Sequence, residues 1–186
     1  MATRDRSVLS FALLGLIRLL QPCSGYDLRG FFAGQPMALF SDSPGSIYPA
    51  LQRLERSRLV TSVIDKSTKL RRRRLYRLTP KGKESLKRWL TQPIHVSDVL
   101  CGMPELFLRF SYLEDALGAL ACETFLASLS AALDEQVKCL RDHRRDIDAK
   151  LSRSARLALQ SGIATYEGQA AWAKMALDEY RKANRA

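Results

Sequence analysis

Residues 43–55 read SPGSIYPALQRLE, and a short way on residues 69–86 read KLRRRRLYRLTPKGKESL. The first stretch sets the hydroxyls of Ser43, Ser46 and Tyr48, the amide of Gln52 and the guanidinium of Arg53 at helical spacing. The second lines up four guanidiniums, Arg71, Arg72, Arg73 and Arg74. These groups are hydrogen-bond donors and charges, and their natural target is a polyanion. Hydroxyls and main-chain amides meet phosphate oxygens, while longer side chains reach base edges in the major groove. Clustered arginines neutralise phosphates and release counterions, which gives a sequence-independent, salt-sensitive affinity. Covalent or acid–base catalysis lacks its parts. The two histidines, His95 and His143, lie in a connecting segment and in the charged run RDHRRD. There is no nucleophile elbow, glycine-rich phosphate loop or acidic pair beside them, so neither enzyme activity nor a cofactor is expected. Cys23, Cys101, Cys122 and Cys139 have no C-x-x-C or Cys/His spacing; they read as small buried apolar residues and not as a metal site or disulfide framework.

The elements around these stretches must hold them in place. Residues 7–20 are apolar almost all round a helix, which predicts burial on several sides, between the domain and a partner subunit. PCSG breaks this helix, Ser24 can cap a second one carrying Tyr26, Leu28, Phe31 and Phe32, and AGQP at 33–36 stops it. Ser43 is a good N-cap for the third helix, with Pro44 at the first helical position. Pro49 costs little only if Ser46 is the effective cap, so a tight or irregular first turn is expected. Ile47, Ala50, Leu51 and Leu54 then share one face, and Ser46, Gln52, Arg53 and Arg56 lie off it. LVTSVID (59–65) and LYRL (75–78) alternate as strands around a cationic tip, and Thr79 with Pro80 opens another helix. Helix, helix, helix, strand, strand, helix is the order of a winged helix-turn-helix.

Charge follows the same division. Of 186 residues, 30 are Lys or Arg and 19 are Asp or Glu; residues 1–92 hold 18 and 6 of them, residues 93–186 hold 12 and 13. The whole positive excess lies in the first half, which points to an anionic partner there and a different task for the rest. The longest apolar run, VLSFALLGLIRLL, is short and broken by Arg18, which predicts neither a spanning helix nor a signal peptide, and a cytoplasmic, membrane-free protein.

LLGLI, SGYDL, SPGSIYPALQRLERSRLV and RRRLYRLTPKGKESLKRWL together resemble the PadR-type transcriptional regulators, over roughly residues 8–90. The likeness rests on Gly25 and Tyr26, on Ser43 to Leu54, and on Arg74, Tyr76, Leu78, Thr79 and Gly82. It implies that Tyr48 contacts a phosphate; the residues alone leave open that Tyr48 packs against the second helix. It also implies a structural Tyr76 and backbone requirements at Gly25 and Gly45. In one place the chain departs from its relatives, with Ser57 and Arg58 where many have a glycine, which predicts a less tightly wound turn.

Beyond the polar segment TQPIHVSD (91–98) the pattern is helical. MPELFLRFSYL reads as a short helix broken by Ser111 to Glu114. A long helix over 115–150 carries Leu117, Leu120, Phe125, Leu129, Leu133, Val137 and Leu140, and a last one spans 153–183. Such stripes suit a homodimer through the C-terminal helices, with a hairpin inside one chain as the alternative. The expected organisation is mostly α: a winged domain with a two-stranded β wing at 1–92, and an all-α dimerisation and effector region at 93–186. Two such domains would read a near-palindromic site on double-stranded DNA. The resemblance also implies release by a small hydrophobic or aromatic effector, for which Trp89, Phe107, Phe110, Phe125, Tyr166, Trp172 and Met175 are the candidate lining, although the same residues would serve as core. Together these readings predict a sequence-specific regulator, a repressor. The alternative is a winged-helix adaptor whose basic wing docks on an acidic protein; Arg53→Ala separates the two, because only a DNA reader would change its sequence preference.

Overall fold

The computed structural model describes residues 2–33, 44–65 and 73–184. The chain forms two compact units, Met1–Leu90 and Thr91–Ala186. The first contains α1 (Ala2–Leu20), β1 (Cys23–Ser24), α2 (Gly25–Ala33), α3 (Pro44–Arg56), β2 (Val60–Asp65), β3 (Arg73–Leu78) and α4 (Pro80–Leu90). Leu13, Leu14, Leu16 and Ile17 of α1 are wholly buried, each contributing about 2 kcal/mol of apolar burial. The sequence predicts a partner subunit against this helix. Within its own unit α2, α3, α4 and β3 all pack on α1, with Phe11 stacked flat on Trp89 of α4 at 4.9 Å.

The wing is broader than the expected pair of strands. The sheet order is β1-β3-β2, all antiparallel, with Val60 opposite Leu78 and Asp65 opposite Arg73 on one side of β3, and Cys23 opposite Tyr76 on the other. Residues 22–24 read as a break because two residues carry no alternation; only long-range pairing makes them a strand. Gln21 reinforces the seam, its Oε1 accepting from the amide of Leu78, 57 residues on, at 2.9 Å. At α4, Thr79 acts as predicted: its Oγ1 accepts from the amide of Gly82 and donates to the carbonyl of Arg58. Gly82 is there for space, since a methyl group on it would stand 1.9 Å from the carbonyl oxygen of Leu59.

The elements of the second unit are all helical: α5 (Val96–Cys101), α6 (Met103–Leu117), α7 (Ala119–Ile147), a 3-10 turn at Asp148–Lys150 and α8 (Arg153–Ala183). Two expectations fail here. The segment 91–98, read as a link, contains the start of α5, where the Asp98 carboxylate accepts from the amide of His95 at 2.9 Å and Val99 is buried. Ser111 to Glu114 does not break α6. The Ser111 hydroxyl bonds back to the Leu108 carbonyl, which a helix tolerates, and Tyr112 and Leu113 bury their side chains. The break comes at Gly118, whose φ of +84° suits a residue without a Cβ.

Helices α7 and α8 pack along each other within the chain. Side-chain pairs run from Asn184 with Glu123, through Lys174 with Asp134 and Arg141 with Glu167, to Arg156 with Asp148. Residue numbers rise along one helix as they fall along the other, so the two are antiparallel. Phe125, Leu129, Leu133 and Val137 face inward as predicted, whereas Leu120 and Leu157 point outward. On α6, the buried Arg109 donates to the Gln92 carbonyl and lies 5.3 Å from the centre of the Phe125 ring.

Candidate nucleic-acid interface

The centre of the site is α3. It is helical from Pro44, so Pro49 sits inside the helix and not in an irregular first turn. Its missing amide falls in the second turn, past the four unbonded N-terminal amides, so the helix gives up one main-chain bond there. Ile47, Ala50, Leu51 and Leu54 are buried, while Tyr48, Gln52, Arg53 and Arg56 are exposed. Ser46 is half-buried, and Ser43 lies outside the described residues.

The helix ends in a tight turn. Leu59 donates its amide to Leu54 and Arg58 donates to Glu55, both at 2.9 Å. This is the Schellman arrangement, with Arg58 at the left-handed position and a φ of 59°. The predicted loosening at Ser57 and Arg58 does not occur. Arginine adopts the conformation usually left to glycine because the Arg58 and Leu59 carbonyls are also held by Thr79, and the Ser57 carbonyl accepts from Lys81 Nζ at 3.1 Å.

Beyond the turn, the wing is tied to α3 through Glu55. One of its carboxylate oxygens accepts from the Ser62 hydroxyl at 2.5 Å, the other from the Arg74 guanidinium at 3.2 Å. Arg73 and Arg74 are therefore not loop residues but the first two positions of β3, both exposed. Arg71 and Arg72 lie outside the described residues. Tyr76, two positions further, is buried as expected. Burial raises its phenol above the ordinary value, with a hydrogen bond from Arg74 acting the other way.

Tyr48 packs against the second helix, the reading that the residues alone left open. Its ring lies against the start of α2, so close that a methyl group on Gly25 would stand 2.7 Å from its Cε1. Yet 42% of the residue remains exposed. The predicted Ser24 cap is present in reciprocal form: Asp27 accepts from the Ser24 amide and hydroxyl at 2.8 and 2.9 Å, and donates its own amide to that hydroxyl at 3.3 Å. Between these parts lies a groove of about 500 Å³, lined by Ser24, Gly25, Tyr26, Tyr48, Arg73, Arg74 and Tyr76. Sequence reasoning missed Tyr26 and Glu55 as members of the site. Glu55 could have been noticed as the only acid within a basic helix; Tyr26 had no signal beyond its place after Gly25.

The candidate effector residues divide. Phe107 and Phe110 pack on Trp172 at 5.2 and 5.8 Å, and Phe110 stacks on Phe125 at 5.7 Å. Tyr166 is half-buried on α8. Met175 is 61% exposed and faces solvent, and Trp89 belongs to the core of the first unit.

Residues 13–88 match the transcriptional regulator PadR-like family. Over 90 residues the chain is 37% identical to the negative transcriptional regulator PadR of Bacillus subtilis (strain 168). That match takes in 47% of this chain and 48% of the other, so the chain spans about half the length of the curated relative it matches. Among solved structures, Bacillus subtilis PadR in complex with operator DNA is similar over 93% of this chain and 99% of that one, with 23% identity and a TM-score of 0.44. The same protein in complex with p-coumaric acid is similar over 95% and 97%, with 22% identity and a TM-score of 0.40.

Proposed function

We propose that the chain, whose residues 13–88 match the PadR-like family of transcriptional regulators, is a sequence-specific DNA-binding repressor. Its winged N-terminal domain reads the operator, and its C-terminal domain makes the homodimer that presents two copies of α3 to a near-palindrome. It acts in the cytoplasm, as an enzyme-free switch. The observation that carries this reading is the pairing of two donor surfaces: the outer face of α3 with Tyr48, Gln52 and Arg53, and β3 with Arg73 and Arg74, tied together by Glu55. The description of the 37% identical relative as a negative regulator supports repression as the sign. Large apolar side chains left on the surface of the second unit, Leu120 at 73% and Leu157 at 57% exposure, support a second copy as their cover. A small hydrophobic or aromatic effector would act among the half-buried rings of Phe107, Phe110 and Trp172, favouring a dimer geometry whose recognition helices no longer match the DNA spacing.

The test is selection of duplexes from a randomised pool by the full-length protein, followed by gel-shift titration against unrelated competitor at low and physiological salt. Recovery of a two-fold motif, with a complex that resists competitor, is expected. A complex lost equally to any competitor would leave only an electrostatic surface and bring the adaptor reading forward.

A further inference from the structure

We infer that the groove between the start of α2 and the wing is a seat for one backbone phosphate of duplex DNA, with Tyr26 as a contact residue beside Tyr48 and Arg73. This rests on the DNA-binding reading above and adds to it a third element, α2, and a residue outside the recognition helix and the wing.

Tyr26 is the starting observation. On α2, Leu28 and Phe32 are buried, yet the tyrosine in the first turn is 70% exposed. It therefore does little for the core, but it lines the groove together with the exposed Tyr48 and Arg73. A phenol at neutral pH is an uncharged donor on a stiff stem, and arginine supplies charge and a planar fork of donors. That set fits the non-bridging oxygens of a phosphodiester.

The groove's lining residues include no carboxylate. Of the acids next to those residues in sequence or across the ladder, Asp65 stands opposite Arg73 on β2, while Asp27 and Glu55 are engaged inside the protein. Asp27 takes the amide and hydroxyl of Ser24, and Glu55 takes Ser62 and Arg74. Arg74 is thereby held at the groove wall, and Arg73, exposed beside it, is placed to bring charge to an anion. Gly25 completes the arrangement: without a Cβ it lets the Tyr48 ring lie along the start of α2 and so fixes one edge of the groove.

The experiment uses the full-length protein and a duplex selected by it, with Tyr26→Phe, Tyr26→Ala and Arg73→Ala variants. Affinity is measured across a salt series, and phosphate ethylation interference maps which backbone positions matter. Tyr26→Phe is expected to weaken binding roughly three- to tenfold, as for loss of one hydrogen bond to a charged group at a wet surface, with the salt slope unchanged. Arg73→Ala is expected to lower the slope by about 1. Ethylation of one phosphate in each half-site should block wild-type binding and cease to matter in both variants. Thermal midpoints should stay at the wild-type value, because the residues are exposed. Wild-type affinity in both Tyr26 variants, with the ethylation pattern intact, overturns the groove while leaving the DNA-binding reading standing. Failure of the wild-type chain to select any duplex overturns both.

Discussion

Arg58 occupies a backbone conformation that disfavours side chains by about 1 kcal/mol. Replacing it with glycine should therefore stabilise the first unit by roughly that amount, raising its thermal midpoint by about 4 °C or more; an unchanged midpoint would show that the Thr79 bonds already remove the strain. The opposite holds at Gly82, where a methyl group would meet the Leu59 carbonyl oxygen at 1.9 Å. Gly82→Ala should cost about 3 kcal/mol, at the upper end for overpacking, and detach the wing from α4; a full-strength thermal transition in that variant would refute the close approach. Cys23 makes a prediction about pH. Its burial, helped by Asp27, pushes the thiol from the ordinary 9.0 up to about 11. The folded state thus holds this proton more tightly than the unfolded chain does, so the contribution is complete below pH 9 and lost as pH rises from 9 to 11. Cys23→Ala should shallow the alkaline fall in stability over that window and leave the profile between pH 6 and 8 unchanged. Equal slopes in the two proteins would contradict it.

An element can be well formed and still be poorly aimed, and Glu55 is what aims the wing. Its pair with Arg74 is exposed, so it adds at most about 1 kcal/mol of stability; its value lies in fixing β2 and β3 relative to α3. Glu55→Ala removes a negative charge and releases Arg74, so non-specific DNA affinity should rise and its salt slope steepen by about 1. Preference for the selected site should fall several-fold in the same variant. Parallel gel shifts on selected and unrelated duplexes check this, and a change of the same sign and size on both would reduce Glu55 to an ordinary surface charge. The winged order of elements was legible because each rests on local signals: the buried face of Ile47, Ala50, Leu51 and Leu54, the Thr79–Pro80 helix start, and alternation in VTSVID. Glu55, Tyr26 and β1 were not, because their roles depend on what the fold brings beside them. The long C-terminal helices were legible in period but not in direction. Leu120 shares the spacing of Leu129 and Leu133, yet only packing decides that it is left outside. Gly118 was a readable stop, outweighed by the polar run from Ser111 to Glu114 that the helix in fact absorbs.

At the scale of the molecule, the positive excess and the donor surfaces belong to the first unit, and the exposed leucines of α7 and α8 belong to the second. Leu120→Lys combined with Leu157→Lys should abolish the proposed dimer in sedimentation while the helical signal persists. Affinity for a two-fold site should then drop toward that for a single half-site; an unchanged sedimentation coefficient would move the dimer contact elsewhere. The sheet order β1-β3-β2 has a consequence of another kind, in the timing of synthesis. β2 and β3 are neighbours in sequence and can close early, but Gln21 waits for Leu78, 57 residues away, and Cys23 for Tyr76. Loop closure over that span is slower and entropically costlier. A ribosome releases the N-terminus first, so α1, with its apolar girdle, emerges long before the strand and helix that cover it. Nascent chains stalled before Leu75 should therefore hold α1 exposed to chaperones, and chains stalled well beyond Leu90 should not.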